Sequence, residues 1–492
     1  MVKSAQTVKA GAWVVSGKLC ARLFDLALLL ILSRLLTPDD FGLIALAMAP
    51  IFIGEAVLEL PLVQALLRFD RPGKSMYDTA FTLSILRGLA LATLFISLSV
   101  PLAHFYNEPR LTLLVCVLSL APILRGTISP KLVIFMKEMD FRRDFLLDVF
   151  GKAVAFVVAT TLAITTQSYW AIAAATITAP IAMNLLSYIL APYRPGFTLK
   201  DWKHFADMIG WNSLSQIIDA TNWQMDRLLL GRFVPTEALG RYTIANDLIT
   251  LPHRSFVTPL SRPLMANFTL QKTPDDLSNA YSLSLSAIFL LMAPILLMLS
   301  MLSEPIVLIL LSEKWLEAAP IAQWLAAIGI LSLPVTPLAP LALSQDRTRF
   351  LTLRAFLELI VKLPTMIYGV VFYGIWGAIG ARAITAALTL VATLLIVRRL
   401  IGLSFKRQIR PLLSGGFSIM MMGGVMWFTR PDIGIAPYDK ILIAAQLVVC
   451  CVLASITYLG SLYTIWVISG RPDGVIKKIV SQISSYKTRL LS

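Results

Sequence analysis

The stretch FGLIALAMAPIFIGEAVLELPLVQAL, residues 41–66, contains only two charged residues, Glu55 and Glu59. A helix of about 20 mostly apolar residues crosses the hydrocarbon core of a bilayer, so this stretch predicts a membrane span. Similar runs follow one another from Trp13 to Ile468. Hydrophobic residues make up 57% of the chain and charged residues 14%, against about 45–50% and 25% in soluble domains. The sequence therefore predicts an all-α, polytopic membrane protein.

About fourteen transmembrane helices account for most of the 492 residues. The predicted spans are residues 10–33, 41–66, 79–103, 111–134, 145–166, 169–190, 208–231, 239–261, 281–311, 319–343, 355–373, 375–397, 411–428 and 439–467. The 281–311 run is long enough to contain a tilt or a kink at Pro294. The remaining stretches are too short for an independent soluble core, so we expect no catalysis on a separate soluble domain.

The distribution of basic residues predicts that both termini are cytoplasmic. Lys and Arg are concentrated in alternate loops and at both ends of the chain, and cytoplasmic loops carry such an excess. The net charge of +15 is then mainly a topology signal, and no nucleic-acid partner is expected. The first span is too long and too charged for a cleavable signal peptide. Dispersed histidines and cysteines within spans indicate neither a metal site, a disulfide framework nor a cofactor.

An internal repeat divides the predicted spans into two groups of six. Ser33-Arg-Leu-Leu-Thr-Pro-Asp-Asp-Phe-Gly-Leu-Ile-Ala-Leu-Ala47 aligns without gaps with Gly231-Arg-Phe-Val-Pro-Thr-Glu-Ala-Leu-Gly-Arg-Tyr-Thr-Ile-Ala245, so that Gly42 matches Gly240. Trp170-Ala-Ile-Ala-Ala similarly matches Trp376-Gly-Ala-Ile-Gly. Chance or generic turn chemistry is the alternative. We expect two pseudo-symmetric six-helix lobes around a central cavity, residues 1–198 and 199–405, followed by spans thirteen and fourteen with a cytoplasmic tail, residues 406–492.

Such a duplicated bundle suits alternating access to a site near the bilayer midplane. A bundle that only scaffolds other proteins is the structural alternative, but it would have little reason to keep charges in its spans. An ionisable side chain at mid-bilayer costs at least ~2.5–3.5 kcal/mol on insertion scales. Charged residues inside the spans are therefore the candidates for function.

Span one carries Lys18, Arg22 and Asp25 at helical spacings i, i+4 and i+7, which place them on one face. They predict a cationic strip that lines a cavity and attracts an anionic substrate. The alternative is internal neutralisation of Arg22 by Asp25. Because one carboxylate cannot neutralise two cations, we favour the cavity. Asp148 with Lys152 is interpreted as a mutually neutralised structural pair on span five.

Span seven carries a row of polar and aromatic residues. A row of amide, carboxylate and indole groups resembles the lining of a sugar-binding surface, and a set of structural pairs with Arg227 or with span one is the alternative. The candidates for facing the sugar or for coupling are Asn212, Gln216, Asp219, Trp223 and Asp226, together with Asp247 on the next span.

Acidic and basic residues in other spans complete the candidate site. Glu55 and Glu59 lie on one helical face, so their like charges must be offset. Cations such as Lys18 and Arg22 could neutralise them. Alternatively, one carboxyl stays protonated, which would allow coupling of transport to H⁺ or Na⁺. Arginine suits phosphate because its fork donates two parallel hydrogen bonds. The cations predicted to make the cavity positive are Lys18, Arg22, Arg87, Arg125, Arg254 and Arg382.

Two motifs give the chain a family resemblance. The charged first span followed by Ser33-Arg-Leu-Leu-Thr-Pro-Asp-Asp-Phe-Gly-Leu, and the later Asp226-Arg-Leu-Leu-Leu-Gly…Leu-Gly-Arg-Tyr-Thr-Ile-Ala…Leu-Pro252, resemble the oligosaccharide-lipid flippases (Wzx, or polysaccharide exporters). These belong to the multidrug/oligosaccharidyl-lipid/polysaccharide superfamily. The resemblance covers essentially the whole chain.

The resemblance implies translocation of an undecaprenyl-diphosphate-linked oligosaccharide repeat unit across the bacterial inner membrane, for exopolysaccharide, capsule or O-antigen synthesis. It implies membrane lipids, a polysaccharide polymerase and a chain-length regulator as partners. A cation-coupled multidrug exporter is the alternative within the superfamily, although the basic excess in the spans argues against cationic drugs. A membrane glycan polymerase or ligase is the enzyme alternative, which the short outward loops disfavour.

Overall fold

The chain consists of helices joined by short turns. The computed structural model describes residues 2–69, 72–138, 140–206, 211–431, 439–471 and 474–477. Within these ranges no β-strand occurs, so the predicted all-α fold is confirmed. The helices are α1 (Val2–Leu35), α2 (Pro38–Val57), α3 (Leu62–Arg68), α4 (Lys74–Tyr106), α5 (Arg110–Leu118), α6 (Leu120–Gly126), α7 (Val133–Lys137), α8 (Arg142–Thr166), α9 (Trp170–Leu190), α10 (Trp202–Ala206), α11 (Trp211–Phe233), α12 (Thr236–Pro252), α13 (Ser261–Thr269), α14 (Pro274–Met301), α15 (Ser303–Leu310), α16 (Ala319–Ser332), α17 (Leu338–Ser344), α18 (Arg349–Ile401), α19 (Phe405–Thr429) and α20 (Lys440–Ile468).

Nine helical stretches of the described chain are long and apolar enough to cross a membrane, and the bent pair Arg110–Gly126 and Pro130–Lys137 would add a tenth. A multi-pass membrane protein is therefore confirmed, whereas the count of fourteen spans stays a prediction. Helices α1, α11 and α12 are not among these stretches. They are also the helices that carry many of the candidate charged residues.

A glycine divides the longest helix into two segments. Helix α18 has 53 residues, and Gly374 within it has φ 57° and ψ −132°, a backbone conformation that side chains with a Cβ avoid. The break coincides with the boundary predicted between the spans at 355–373 and 375–397. A single glycine thus turns one apolar run into two helical segments.

Several predicted spans are interrupted by turns. The span at 41–66 divides into α2 and α3, and the span at 111–134 divides into α5, α6 and a 3-10 turn, Pro130–Leu132. In the 281–311 run the helix continues through Pro294 and ends at Met301, so the run divides there and not at the proline. Helix α15 then begins with Pro305 in its first turn, where the missing N–H is not needed.

The tetrapeptide Thr-Pro-Asp-Asp begins both α2 and α14. At α2 the Thr37 amide donates to Asp40 Oδ2 at 2.9 Å, and the Asp40 amide donates to Thr37 Oγ1 at 3.3 Å, which forms a capping box. At α14 the Asp276 amide donates to Thr273 Oγ1 at 3.1 Å. Each threonine satisfies an amide that has no partner within the helix, and each proline fits the first helical position.

The chain divides into two compact units. The first comprises Met1–Thr243 with Val370–Ile375, and the second comprises Ile244–Gly369 with Trp376–Ser492. In the first unit, α1 packs along α8, α8 along α9, and α2 along α11. The buried face of α8 repeats at every fourth residue, with Leu147, Gly151, Ala155, Ala159 and Ala163. Small residues on this face allow the close helix packing that membrane proteins use.

Helices α2 and α12 approach each other closely in the first unit. A Cβ added to Gly42 would overlap the carbonyl oxygen of Thr236, and one added to Gly240 would overlap that of Pro38. Both glycines are therefore required by the backbone approach. Each is the fifth residue of its helix.

Charged residues fasten the turn between α4 and α5 to the start of α2. Arg110 donates to Asp39 at 2.7 Å and to Glu108 at 2.7 Å. The hydrogen bond from Arg110 lowers the pKa of the Glu108 carboxyl below its ordinary value. The three side chains form a polar cluster at the end of the first unit where α2 begins.

In the second unit, α14 packs against α16 and α19, and α19 packs against α20. The Tyr458 hydroxyl on α20 donates to the Leu290 carbonyl on α14 at 2.8 Å. Gln408 is fully buried and donates to the carbonyls of Leu394 and Leu403, which closes the turn between α18 and α19. A core cluster joins α13, α14, α17 and α18 through Phe268, Tyr281, Leu285, Leu341 and Val397.

Candidate functional site

Helices α1 and α8 share a group of charged side chains. The Asp25 carboxylate forms two ion pairs, one with Arg22 of its own helix at 3.4 Å and one with Lys152 of α8 at 2.5 Å. Lys18 is exposed on the same helix and makes no ion pair within the described part of the chain. The pairing of Lys152 with Asp25 occurs because α1 lies directly along α8.

The partner of Lys152 differs from the prediction. Lys152 forms its ion pair with Asp25 on α1 and not with Asp148, although Asp148 still interacts electrostatically with Lys152 and Lys18. Two cations thus share one carboxylate, and the Arg22–Asp25–Lys152 triad keeps one formal positive charge. Arg22 is therefore paired with Asp25, as the alternative interpretation expects, and the cationic strip that lines a cavity stays a prediction.

A second group joins α2, α4 and α6. The Glu55 carboxylate forms an ion pair with Arg125, and Arg87 donates to the Glu55 backbone carbonyl at 2.7 Å. The Glu55 side chain is 17% exposed and that of Arg125 is 40% exposed. Two arginines from two different helices thus converge on one residue of α2.

The countercharge of Glu55 also differs from the preferred expectation. Span one was expected to supply it through Lys18 or Arg22, but Arg125 on α6 does so. Glu59 lies beyond the end of α2, is exposed and takes no part in an ion pair among the described residues. The two glutamates therefore occupy different environments, although their spacing is helical.

The predicted row on α11 is divided by burial. Trp223 is 48% exposed, Asp219 is exposed and Gln216 is half-buried, whereas Asp226 is 5% exposed. Asp226 accepts a hydrogen bond from the Tyr242 hydroxyl at 2.7 Å. Asp226 therefore belongs to the packed interior of the first unit. The Asn212 side chain lies outside the described residues.

The remaining candidates lie in the second unit. Arg382 donates to Asn246 Oδ1 at 2.6 Å, so this arginine bonds to a neutral amide. Arg254 is half-buried within a π-helical turn, His253–Val257, that follows α12. Asp247 is half-buried on α12. A role of these residues in substrate binding stays a prediction.

The tertiary structure adds three residues to the candidate set. The sequence predicts a structural role for Lys152 and no role for Tyr242 or Asn246, yet these side chains contact Asp25, Asp226 and Arg382, respectively. For Lys152, a charge inside the apolar helix α8 is the signal that could have found it, whereas Tyr242 and Asn246 lie on the less apolar α12, where no such signal exists. Among the residues that the structure describes, no three His, Cys, Asp or Glu side chains are placed to hold a metal ion.

A family profile described as "Polysaccharide biosynthesis protein" matches residues 31–320, more than half of the chain. The teichuronic acid biosynthesis protein TuaB of Bacillus subtilis is 23% identical over 70% of this chain and 72% of its own length. The lipopolysaccharide biosynthesis protein WzxC of Escherichia coli is 21% identical over 82% of this chain and 83% of its own length. The succinoglycan biosynthesis transport protein ExoT of Rhizobium meliloti is 23% identical over 79% of this chain and 78% of its own length.

Solved structures share the fold. The lipid II flippase MurJ in an inward closed conformation superposes with a TM-score of 0.71 at 15% identity, over 92% of this chain and 99% of that chain. An inward-facing multidrug transporter of the MATE family and MOP superfamily superposes with a TM-score of 0.57 at 16% identity, over 78% of this chain and 94% of that transporter. The helical fold is therefore that of this transporter superfamily.

Proposed function

The chain belongs to the polysaccharide biosynthesis protein family, and from this premise we propose that it is a flippase for undecaprenyl-diphosphate-linked oligosaccharide repeat units. It moves them across the bacterial inner membrane to supply exopolysaccharide, capsule or O-antigen synthesis. Relatives named for teichuronic acid, lipopolysaccharide and succinoglycan biosynthesis support this class of substrate.

The observation that carries the proposal is the positive group on α1 and α8. Arg22 and Lys152 share Asp25, and the exposed Lys18 adds a further cation. Helix α8, which carries Lys152, is apolar and long enough to span the membrane. A charged side chain at the centre of such a helix costs ~2.5–3.5 kcal/mol or more, and a bound anion would offset that penalty. A diphosphate is such an anion. Fixed cations would replace the hydration of the diphosphate while its sugars pass through a hydrated cavity.

Two lobes with fourteen spans would allow alternating access around this group. The contact between Gly42 and Gly240, which are equivalent positions of the internal repeat, supports a pseudo-twofold arrangement. We place both termini in the cytoplasm on the distribution of Lys and Arg. The polymerase and the chain-length regulator of the pathway are the proposed protein partners.

Transport without enzymatic chemistry and without a cofactor is the proposed mode of action. The exposed carboxylates Glu59 and Asp219 are the candidates for coupling to H⁺ or Na⁺. Exposed Trp223, one helical turn from Asp219, supplies an aromatic face and a hydrogen-bond donor for a sugar. Lipid tails would remain in the bilayer while the head group crosses.

A deletion strain tests the function directly. Loss of the gene should stop polymer export and cause the lipid-linked oligosaccharide to accumulate, and the wild-type gene should restore export. Arg22→Ala should fail to restore it at equal protein level, whereas Arg142→Ala, at an exposed position at the start of α8, should succeed. Drug sensitivity with intact polymer would instead indicate a multidrug exporter, and normal polymer without drug sensitivity would contradict both functions.

A further inference from the structure

A cavity of about 710 Å³ lies in the first unit, and its lining does not include the charged groups on α1 and α2. Its wall contains three cations and three tyrosines, namely Lys74, Lys131, Arg194, Tyr77, Tyr188 and Tyr193. Ligand pockets for small molecules span about 300–1,000 Å³. The cavity is thus large enough for a diphosphate with an attached sugar.

Three separate parts of the chain contribute the cations. Lys74 begins α4, Lys131 lies in the 3-10 turn Pro130–Leu132, and Arg194 follows the end of α9. All three belong to loops that the distribution of basic residues places on the cytoplasmic side. Their convergence on one cavity shows that these loops meet at the same end of the unit.

Hydrogen bonds hold the loop that carries Arg194 against α4. Buried Asp78 accepts from the Tyr193 hydroxyl at 2.5 Å and from the Gly196 amide at 3.2 Å. The Thr198 amide donates to Thr82 Oγ1 at 3.1 Å. The wall of the cavity is therefore organised before any ligand binds, which reduces the entropy lost on binding.

No ion pair within the described chain neutralises the cations of the cavity wall, and the nearby Asp201 carboxylate accepts from the Ser75 hydroxyl at 2.7 Å. Lys74, Lys131 and Arg194 form no ion pair with any carboxylate of the described ranges. The Asp78 carboxylate beside the wall is already bonded to Tyr193 and Gly196. Burial raises the pKa of the Tyr193 hydroxyl, so it remains a neutral hydrogen-bonding group. Three cations that these carboxylates leave unpaired create a site for a multivalent anion.

We propose that this cavity binds the diphosphate of a lipid-linked sugar at the cytoplasmic end of the first unit, before translocation. Arg194 can donate two parallel hydrogen bonds to one phosphate, and the two lysines act as point charges on the other. The tyrosine rings and the Tyr77 hydroxyl can contact the adjoining sugar, whereas the hydroxyls of Tyr188 and Tyr193 already donate to the Thr127 carbonyl and to Asp78. The choice of a lipid diphosphate rests on the proposed function, whereas the affinity for phosphate rests on the cavity alone.

Lipid binding to the purified full-length protein tests the site. Native mass spectrometry would count bound undecaprenyl diphosphate, phosphatidylglycerol and undecaprenol on the wild type and on Lys131→Gln/Arg194→Gln. Each protein is also prepared with Arg22→Ala added, so that lipid binding in this cavity can be distinguished from lipid binding at the charged group on α1. Arg142→Gln/Lys200→Gln removes the same charge from exposed positions and serves as the control, with size-exclusion chromatography as the check of folding.

Undecaprenyl diphosphate should bind about tenfold or more weakly to the Lys131/Arg194 variant in both backgrounds, as expected for the loss of two charged hydrogen-bond donors. The control variant should bind like the wild type, and undecaprenol should bind to none of them through this cavity. Equal binding to all variants would overturn the site. Equal or tighter binding of phosphatidylglycerol in the cavity would overturn the assignment to a lipid diphosphate. Normal polymer export in the deletion strain would contradict the proposed function and leave the measured site intact.

Discussion

Gly42 and Gly240 lie against each other although 198 positions separate them in the chain. A Cβ on Gly42 would stand 2.9 Å from the Gly240 amide nitrogen, and a Cβ on Gly240 would stand 2.9 Å from that of Gly42. The two residues are matched by the internal repeat, and their contact is reciprocal. Two matched positions of the repeat thus meet through their backbones in the first unit.

Gly42→Ala or Gly240→Ala should lower the free energy of unfolding by about 1–3 kcal/mol, because the added methyl group meets backbone atoms that cannot rotate away. Thermal unfolding of the detergent-purified protein measures the effect. Gly416→Ala and Gly424→Ala are matched controls, since a Cβ at either helical position meets nothing within 4 Å. Equal melting temperatures for all four variants would contradict the close approach.

Asp25→Asn should destabilise the protein by about 1–2 kcal/mol, less than a fully buried charge would, because Arg22 and Lys152 are each about 40% exposed. The variant leaves both cations without their shared carboxylate. Adding Lys152→Gln should recover part of the loss, and adding Asp148→Asn should not. A double-mutant cycle on unfolding measures this coupling, and additive effects of Asp25 and Lys152 would refute the ion pair.

Glu55→Gln should impair polymer export more than Glu59→Gln, because Glu55 is the partner of Arg125. Arg87 should remain in place, since its acceptor is the backbone carbonyl of residue 55. Exchange of the pair, Glu55→Arg with Arg125→Glu, should restore more export than either single change. Export is measured as surface polymer per cell at matched protein level, and a double variant as defective as both single variants would rule out a pairing role.

Glu108 should stabilise the protein only above the pH at which its carboxyl ionises. Its folded-state pKa is lowered by the hydrogen bond from Arg110, so its contribution is complete above the ordinary glutamate pKa of about 4.3 and is lost as pH falls through the lower folded value. Glu108→Gln should cost at most about 1 kcal/mol near pH 7, as for exposed pairs. The difference from the wild type in melting temperature should shrink towards pH 3, and a constant difference would contradict the shift.

Tyr242→Phe should destabilise the protein by about 1–3 kcal/mol, since it removes a hydroxyl donor from the buried Asp226 carboxylate. Tyr463→Phe is the control because that side chain is 53% exposed. Thermal unfolding provides the comparison. A loss of export with an unchanged melting temperature would instead assign Tyr242 to the transport step.

The helical class, the membrane class and the family are all predictable from the order of the amino acids. Runs such as residues 41–66 can only be satisfied as helices in a bilayer, because the backbone has no water to bond with. The two motifs at 33–43 and 226–252 resemble those of polysaccharide exporters, and the match to the polysaccharide biosynthesis protein family confirms that resemblance. The charges on α1, α2, α4 and α6 were also recognisable, since ionisable groups in apolar runs stand out.

The pairing of the charges depends on how the helices pack and is not predictable from their spacing along the chain. Helical spacing paired Lys152 with Asp148 and left Arg125 without a partner, yet the ion pairs run from Lys152 to Asp25 and from Arg125 to Glu55. Helices that are apolar on every side give little indication of which face meets which neighbour. Ion pairs between helices depend on that choice, and so does the cavity formed by Lys74, Lys131 and Arg194, because its residues come from three loops that are brought together only when the helices pack.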